Sequence, residues 1–353
     1  MTRILTKDHK QLNSYLKATS EWISVETLNS FPDAEPKEYL YDLMRNYSQR
    51  GGKHFRPALV LLCCELFGGD PEDALNSAVA LELFHNFALI HDDIEDDSLL
   101  RRGEPTLHLQ HGTALALNSG DALLALVHEI LLDNNSRLSS TLSLRIHRHL
   151  NKVMRATFEG QALDIGWVAK KIFPNRVEYR EMIGKKTGWY SGKGPCQCGA
   201  LIAGASESEL ETVGRFGKAI GIGFQVRDDL LNLTENSENI APSANAGGYG
   251  KERGGDIAEG KRTLITIELL DRLSESDAER LRSILLSERE QVLKSDIDWC
   301  IARAESTGAL DAAAIYCEKQ AYQATMALED LPEHPAKAML IELVDYLTID
   351  RKA

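Results

Sequence analysis

Asp92, Asp93, Glu95, Asp96 and Asp97 put five acids into six consecutive positions, at the end of an apolar run spaced Leu81, Phe84, Ala88, His91. That spacing predicts a helix. On a helix Asp92 and Asp96 stand at i and i+4, so their carboxylates share one face about 6 Å apart along the axis. Gly103 and Pro105 predict that the helix stops soon afterwards, near Leu100. The acids then occupy its last turns, where the macrodipole disfavours negative charge by roughly a few tenths of a kcal/mol each. Folding alone does not ask for that arrangement. A divalent cation relieves it, because hard cations prefer carboxylate oxygen. Taken alone, such a run also reads as a solvated acidic face. A second acidic pair, Asp228-Asp229, follows Phe224-Gln225-Val226-Arg227 on another apolar helix. It echoes the first, with Asn232 where the fifth-position acid stands. Two such pairs far apart in sequence make sense if they face each other across a bundle and share cations.

The basic residues take their meaning from these acids. Gly51-Gly52-Lys53-His54-Phe55-Arg56-Pro57 places Lys53 and Arg56 at a helix start behind two glycines. Backbone N–H groups and the helix dipole favour an anion there. Arg101-Arg102 lies just beyond the first acidic stretch and could also pair with Asp96 or Asp97. Lys185-Lys186-Thr187 precedes a Gly-rich stretch, and Lys251 and Lys261 flank Asp256. Acids that hold Mg²⁺ and bases that hold phosphate together point to a diphosphate substrate, with Mg²⁺ bridging carboxylate and phosphate oxygens.

The elements that must position these groups read as helices throughout. Helices are expected over residues 55–68, from Pro71 to about Leu100, and over 113–133, 138–166, 175–186 and 207–232. Five more follow, over 263–273, 277–293, 297–307, 309–328 and 336–347. Residues 1–50 read as two polar helices with a Pro-bearing break near 29–36. Residues 101–112 read as a polar turn. The stretch 188–199, with four Gly and one Pro, reads as a break or kink, and residues 234–256 as a long loop. No alternating strand run and no linker composition appears. The expectation is an all-α fold, a single large helical bundle over residues 1–353.

At 353 residues and 43% hydrophobic, the chain can bury a large core. A net charge of −13 argues against a nucleic-acid binder, so phosphate sites must be local. The most apolar run, 114–132, is interrupted by Asn118, Asp121, His128 and Glu129, and no membrane-spanning segment is expected. The six cysteines lack zinc-site spacing, and the N-terminus lacks a signal-peptide core. Reduced structural thiols and a cytoplasmic location follow.

The ordered motifs GGKHFRP, LFHNFALIHDDIED, RRGEPTLH, EGQALDI, KKTGWY, GFQVRDDLLNL and GKERGGDIAEGKRT run from residue 51 to 263. In order and spacing the chain resembles the trans-isoprenyl diphosphate synthases, the head-to-tail polyprenyl synthase family. The resemblance implies an all-α bundle around a deep cavity, usually as a homodimer. It also implies Mg²⁺-dependent condensation of isopentenyl diphosphate with an allylic diphosphate. Carried over by motif, Asp92, Asp96 and Asp228 are expected to bind Mg²⁺, with Asp93 beside them. Lys53, Arg56, His85 and Arg102 match the isopentenyl diphosphate site. Arg101, Lys186, Lys251 and Lys261 match positions contacting the allylic diphosphate. Thr187 and Gln225 match positions near the reacting carbons. Trp189 and Tyr190 read as packing. Asn232 departs from the pattern, so metal binding on that side is expected to rest on Asp228.

Helical spacing also suggests a limit on product length. Phe87 lies about 7.5 Å and Phe84 about 12 Å down the helix from Asp92. Two aromatic rings at those depths would close a pocket after a few isoprene units. The resemblance associates a bulky residue at that position with C15 to C20 products, and geranylgeranyl diphosphate (C20) is favoured. A class I terpene cyclase fits poorly, because Asn232 and Asn236 fail its second metal motif. A non-catalytic partner subunit is the other reading, although this chain retains nearly all of the acids and bases.

Overall fold

The computed structural model describes residues 9–234 and 253–349. Helices α1 (Lys10–Asn29), α2 (Asp42–Gln49), α3 (Phe55–Leu66) and α4 (Pro71–Glu95) open the chain. A two-stranded hairpin, β1 (Leu100–Arg101) and β2 (Glu104–Pro105), leads to α5 (Leu107–His111), α6 (Thr113–Asp133), α7 (Ser140–Ala169) and α8 (Arg176–Ile183). Next come α9 (Gly194–Ile202), α10 (Glu207–Thr234), α11 (Gly255–Ala258) and α12 (Leu264–Leu270). Helices α13 (Glu275–Leu285), α14 (Lys294–Ser306), α15 (Ala309–Glu329) and α16 (Pro335–Thr348) close it. The fold is all-α, as the periodicity predicts.

Helix α4 starts where its chemistry says it should. The Glu72 N–H donates to Asp70 Oδ1 at 2.9 Å, Pro71 occupies the first turn, and Glu72 and Asp73 complement the dipole. It stops about a turn short of Leu100. Asp97 takes a left-handed φ of 48°, and the Ser98 N–H turns back to the Asp93 carbonyl at 3.0 Å. Carboxylates are unfavourable at a helix C-terminus, and Asp tolerates left-handed backbone, so the chain turns early. The residues that follow form the β1–β2 hairpin and α5 rather than the expected polar turn.

The expected break over residues 188–199 is absent. Gly184–Lys193 winds as a π-helix straight into α9. Its glycines serve close approach instead. A Cβ on Gly192 would lie 1.8 Å from the Gly217 carbonyl oxygen of α10. One on Gly199 would lie 2.0 Å from the Val60 carbonyl oxygen of α3, and one on Gly160 of α7 would lie 2.2 Å from the Lys186 nitrogen. Without side chains at these points, α3, α7 and α10 all pack directly on the π segment or on α9.

Helix α10 is the spine. Its Val213, Phe216, Ile220 and Phe224 belong to a core built with α3, α4, α6, α7, α9, α15 and α16. Ile222, Val226, Leu230 and Leu233 belong to a second core with α8 and α11–α15. Each such side chain, once buried, contributes roughly 1.5–3 kcal/mol. Thr113–Ser136 is apolar and long enough to cross a membrane by length and composition, yet Leu123, Val127 and Leu131 are buried in the first core. All six cysteines are buried free thiols, in line with the sequence reading.

The glycine contacts predict a contrast. Gly192→Ala forces backbone apart and should lower stability by more than about 3 kcal/mol or abolish folding. Gly166→Ala, with nothing within 4 Å of the new Cβ, should stabilise α7 by roughly 0.5–1 kcal/mol. Urea unfolding of both variants checks this; equal stabilities would contradict the packing argument.

Candidate active site

The last turn of α4 meets three other elements at one layer of charge. Asp92 Oδ1 accepts from Gln161 Nε2 of α7 at 2.7 Å, and Lys186 Nζ of the π segment lies 3.8 Å away. Lys186 also donates to Asp164 of α7 at 2.6 Å. Lys261 Nζ, just past α11, reaches Asp96 Oδ2 at 2.7 Å, Glu259 Oε2 at 2.7 Å and Asp256 Oδ1 at 3.6 Å. Arg289 holds the other Glu259 oxygen at 2.9 Å. Burial and then the Asp92 and Glu259 charges raise the Asp96 pKa, against the pull of Lys261. Burial works against both ammonium groups. The carboxylates overcome it and hold Lys186 and Lys261 above the ordinary lysine value.

The second acidic pair lies within reach of the Asp256 and Lys261 charges. Asp229 on α10 accepts from Gln225 Nε2 at 3.0 Å and from the Tyr179 hydroxyl at 3.3 Å. Burial, then the Asp256 and Asp228 charges, push Asp229 up to about 7. Asp228, half-buried, is the preceding residue on α10. Thr187 donates to Gln225 Oε1 at 3.2 Å, so these two dipoles do meet beside the charged layer. Asn232 is buried; its Oδ1 accepts from the Asp256 N–H at 3.2 Å and its carbonyl from the Gly254 N–H at 2.9 Å. It therefore secures the start of α11.

Asp93 requires a correction. It is expected beside the metal-binding pair, but its side chain is 1% exposed and turned away from that layer. Arg101 grips it through Nε at 2.9 Å and through Nη2, and the Tyr47 hydroxyl donates to it at 2.6 Å. One helical position separates Asp92 from Asp93, which is about 100° of rotation, so the two carboxylates cannot serve one ligand face. Arg101 is correspondingly spoken for, and the proximity of Asp93 raises its pKa despite burial.

Beside the acids lies a cationic pocket. Arg56 Nε donates to Ser191 Oγ at 3.0 Å and Nη2 to the Tyr190 hydroxyl at 3.1 Å. Its guanidinium lies 4.5 Å from the Phe55 ring centroid and 4.7 Å from that of Tyr190. Tyr190 is thus more than the packing residue the sequence suggests. Arg102 donates to the Tyr47 carbonyl at 2.6 Å. Among the described residues neither Arg56 nor Arg102 has a carboxylate within ion-pairing distance. Burial, opposed by Glu82 and reinforced by Arg101 and Arg56, lowers the Arg102 pKa. Among the described residues the buried His85 Nδ1 has no hydrogen-bond partner, and burial, then Arg56 and Arg102, hold the imidazole well below its ordinary value. Lys53 is exposed on the turn before α3. Lys251 lies outside the described residues.

Below the charged layer α4 turns apolar. Phe84 and Phe87 are buried with ring centroids 5.6 Å apart. Phe158 of α7 meets both edge-on at 6.0 and 5.8 Å, and Tyr190 meets Phe84 at 5.9 Å. A charged rim over an aromatic floor, with an anion pocket at one side, suits a molecule with a diphosphate head and a hydrocarbon tail.

The polyprenyl synthetase family model matches residues 37–302. The chain belongs to the polyprenyl synthetase family. It is 36% identical over 332 residues to a short chain isoprenyl diphosphate synthase of Methanothermobacter thermautotrophicus, covering 93% of this chain and 96% of that one. To a geranylgeranyl diphosphate synthase of Methanosarcina mazei it is 32% identical over 332 residues, covering 94% and 96%. The crystal structure of a geranylgeranyl pyrophosphate synthetase from Pyrococcus horikoshii superposes with a TM-score of 0.85 at 31% identity, covering 98% of this chain and all of that one. This polyprenyl synthetase is a prenyltransferase, and its site also contains Gln161, Asp164, Glu259, Arg289 and Phe158. Gln161 and Asp164 belong to the EGQALDI motif, where their i, i+3 spacing puts them on one helix face. Glu259, Arg289 and Phe158 have no local sequence signal.

Burial and the neighbouring arginines disfavour protonation of His85. In the free enzyme its NMR titration midpoint should fall well below 6.5, because protonation would add a buried charge beside two arginines. A midpoint near 6.5 would contradict that environment.

Proposed function

We propose that this polyprenyl synthetase condenses isopentenyl diphosphate head-to-tail with an allylic diphosphate, releases pyrophosphate and stops at geranylgeranyl diphosphate (C20). The whole chain acts as one catalytic domain. One observation carries the reading: α4 presents, in order along its length, a carboxylate layer bridged by lysines and then an aromatic floor.

Lys186, Lys261 and Arg101, with Lys251, hold the allylic diphosphate. Lys53, Arg56, His85 and Arg102 hold isopentenyl diphosphate. Buried Arg56 and half-buried Arg102, which lack carboxylate partners among the described residues, favour the isopentenyl diphosphate assignment, because such a charge is costly unless an anion arrives.

Mg²⁺ is the cation that fits the acids. The donors are hard carboxylate oxygens, and two ammonium groups already lie against Asp92 and Asp96. Among the described residues no three acidic or imidazole groups form a ready-made cage. That suits an ion that takes only one or two carboxylates and completes its shell with phosphate and water. Asp92 and Asp96 would hold Mg²⁺, and Asp228 would hold a further Mg²⁺. When bound, Mg²⁺ neutralises charge on the leaving diphosphate.

The cationic side chains stabilise the same growing charge as the allylic C–O bond breaks. The isopentenyl double bond then forms the new C–C bond, and a proton passes to the released pyrophosphate. The Thr187 and Gln225 dipoles face the developing carbocation. The apolar walls keep water from it.

Leu117 and Leu132 of α6 and Leu144 of α7 are exposed, and a second copy of the chain would cover this face as a homodimer. Six reduced buried thiols support a cytoplasmic location.

Purified protein with Mg²⁺, isopentenyl diphosphate and farnesyl diphosphate should yield a C20 product by mass spectrometry. Lack of turnover with any allylic diphosphate would favour a non-catalytic partner subunit. Phe87→Ala, and more strongly Phe84→Ala with Phe87→Ala, should lengthen the product. An unchanged length in the double variant would sink the role of these rings as a floor.

A further inference from the structure

The hairpin that carries Arg101 and Arg102 cannot hold itself in place. Its strands are two residues each, paired Leu100 to Pro105 and Arg101 to Glu104. An isolated hairpin is marginal even when longer. Its two central residues, Arg102 and Gly103, have φ of 54° and 78°. A connection with both central residues at positive φ prefers Asn-Gly or Gly-Gly, and a long side chain at the first position is disfavoured by roughly 1–2 kcal/mol. Strain of this kind persists only where the surroundings impose it.

Tyr47 of α2 and Arg50, which caps that helix, impose it. Tyr47 is fully buried, and its hydroxyl donates to Asp93 Oδ2 at 2.6 Å while accepting from the Leu107 N–H at 3.2 Å. Its carbonyl accepts from Arg102 Nη1 at 2.6 Å. Arg50, one turn on, donates to the carbonyls of Arg101 at 2.9 Å and Pro105 at 3.0 Å. The Arg50 guanidinium lies 4.6 Å from the Tyr47 ring centroid. The start of the hairpin, its end, both of its arginines and the helix after it are therefore fixed to one turn of α2.

We propose that Tyr47 and Arg50 are positioning residues that preset Arg101 and Arg102 for diphosphate, with Asp93 acting as the internal counter-ion that aims Arg101. The inference rests on the reading of those arginines as diphosphate ligands. Tyr47 acts through Asp93 on Arg101, whereas Arg50 acts on the hairpin backbone and so on both arginines. The two substitutions should therefore differ in which substrate they affect.

Tyr47→Phe keeps the ring, its packing and the carbonyl that holds Arg102, and removes only the hydroxyl. It should raise KM for the allylic diphosphate about tenfold, the loss expected for one hydrogen bond to a charged group, with KM for isopentenyl diphosphate and kcat within about twofold. Arg50→Lys should raise both KM values. Calorimetry with inorganic pyrophosphate and Mg²⁺ gives a readout apart from turnover, and Tyr47→Phe should bind about tenfold more weakly than wild type. A Tyr47→Phe protein with a lower Tm but unchanged KM values and unchanged pyrophosphate affinity would reduce Tyr47 to a purely structural role and overturn the proposal. If the wild type binds pyrophosphate but turns over no allylic diphosphate, the proposed reaction fails and the calorimetric comparison alone decides this inference. A wild type that binds no pyrophosphate overturns both.

Discussion

Carboxylates brought together at one place in the fold must be neutralised, and the chain does this with two lysines from distant segments. Lys186 sits between Asp92 of α4 and Asp164 of α7, and Lys261 sits between Asp96 and the pair Asp256 and Glu259 at α11. Removing one partner of such a buried pair leaves an uncompensated charge, which costs about 3–5 kcal/mol. The position of α4, α7, the π segment and α11 is therefore tied to the same charges that are proposed to serve the reaction. The lysines bridge the acids in the free protein and are also the groups proposed to take the allylic diphosphate.

That arrangement requires backbones to come closer than ordinary side chains allow. Gly160 admits the Lys186 backbone against α7, and Gly192 and Gly217 let the π segment lie on α10. A π-helix also turns fewer times over a given number of residues than an α-helix, which redirects the side chains it carries. Lys186, Thr187, Tyr190 and Ser191 all sit on this segment, and each reaches a different part of the site.

Helix α4 then gives the pocket its polarity. From Asp96 back to Phe84 it passes from carboxylate to aromatic ring within a few turns, with His85 directed to the cationic side. Helix α7 runs beside it with matching chemistry: Gln161 touches Asp92, and Phe158, one turn earlier, touches Phe87. Phe158 remains 41% exposed whereas Phe84 and Phe87 are buried.

The helical periods, the two acidic pairs and the basic clusters around them are local properties; the sequence alone determined an all-α fold and pointed to a diphosphate-and-cation site. The burial of Phe84 and Phe87 below the acids was legible too, because position along one helix converts directly into depth. What the tertiary structure decided lies in contacts between segments far apart. It turned Asp93 from an expected neighbour of the metal pair into the partner of Arg101 and Tyr47, since a single residue of helical rotation separates it from Asp92. It converted an expected Gly-Pro break into a continuous π-helix, because those glycines answer to α3, α7 and α10 rather than to local conformation. It also brought in Tyr47, Arg50, Glu259, Arg289 and Phe158. Their roles depend on which distant element each one faces, and no spacing within a single helix encodes that.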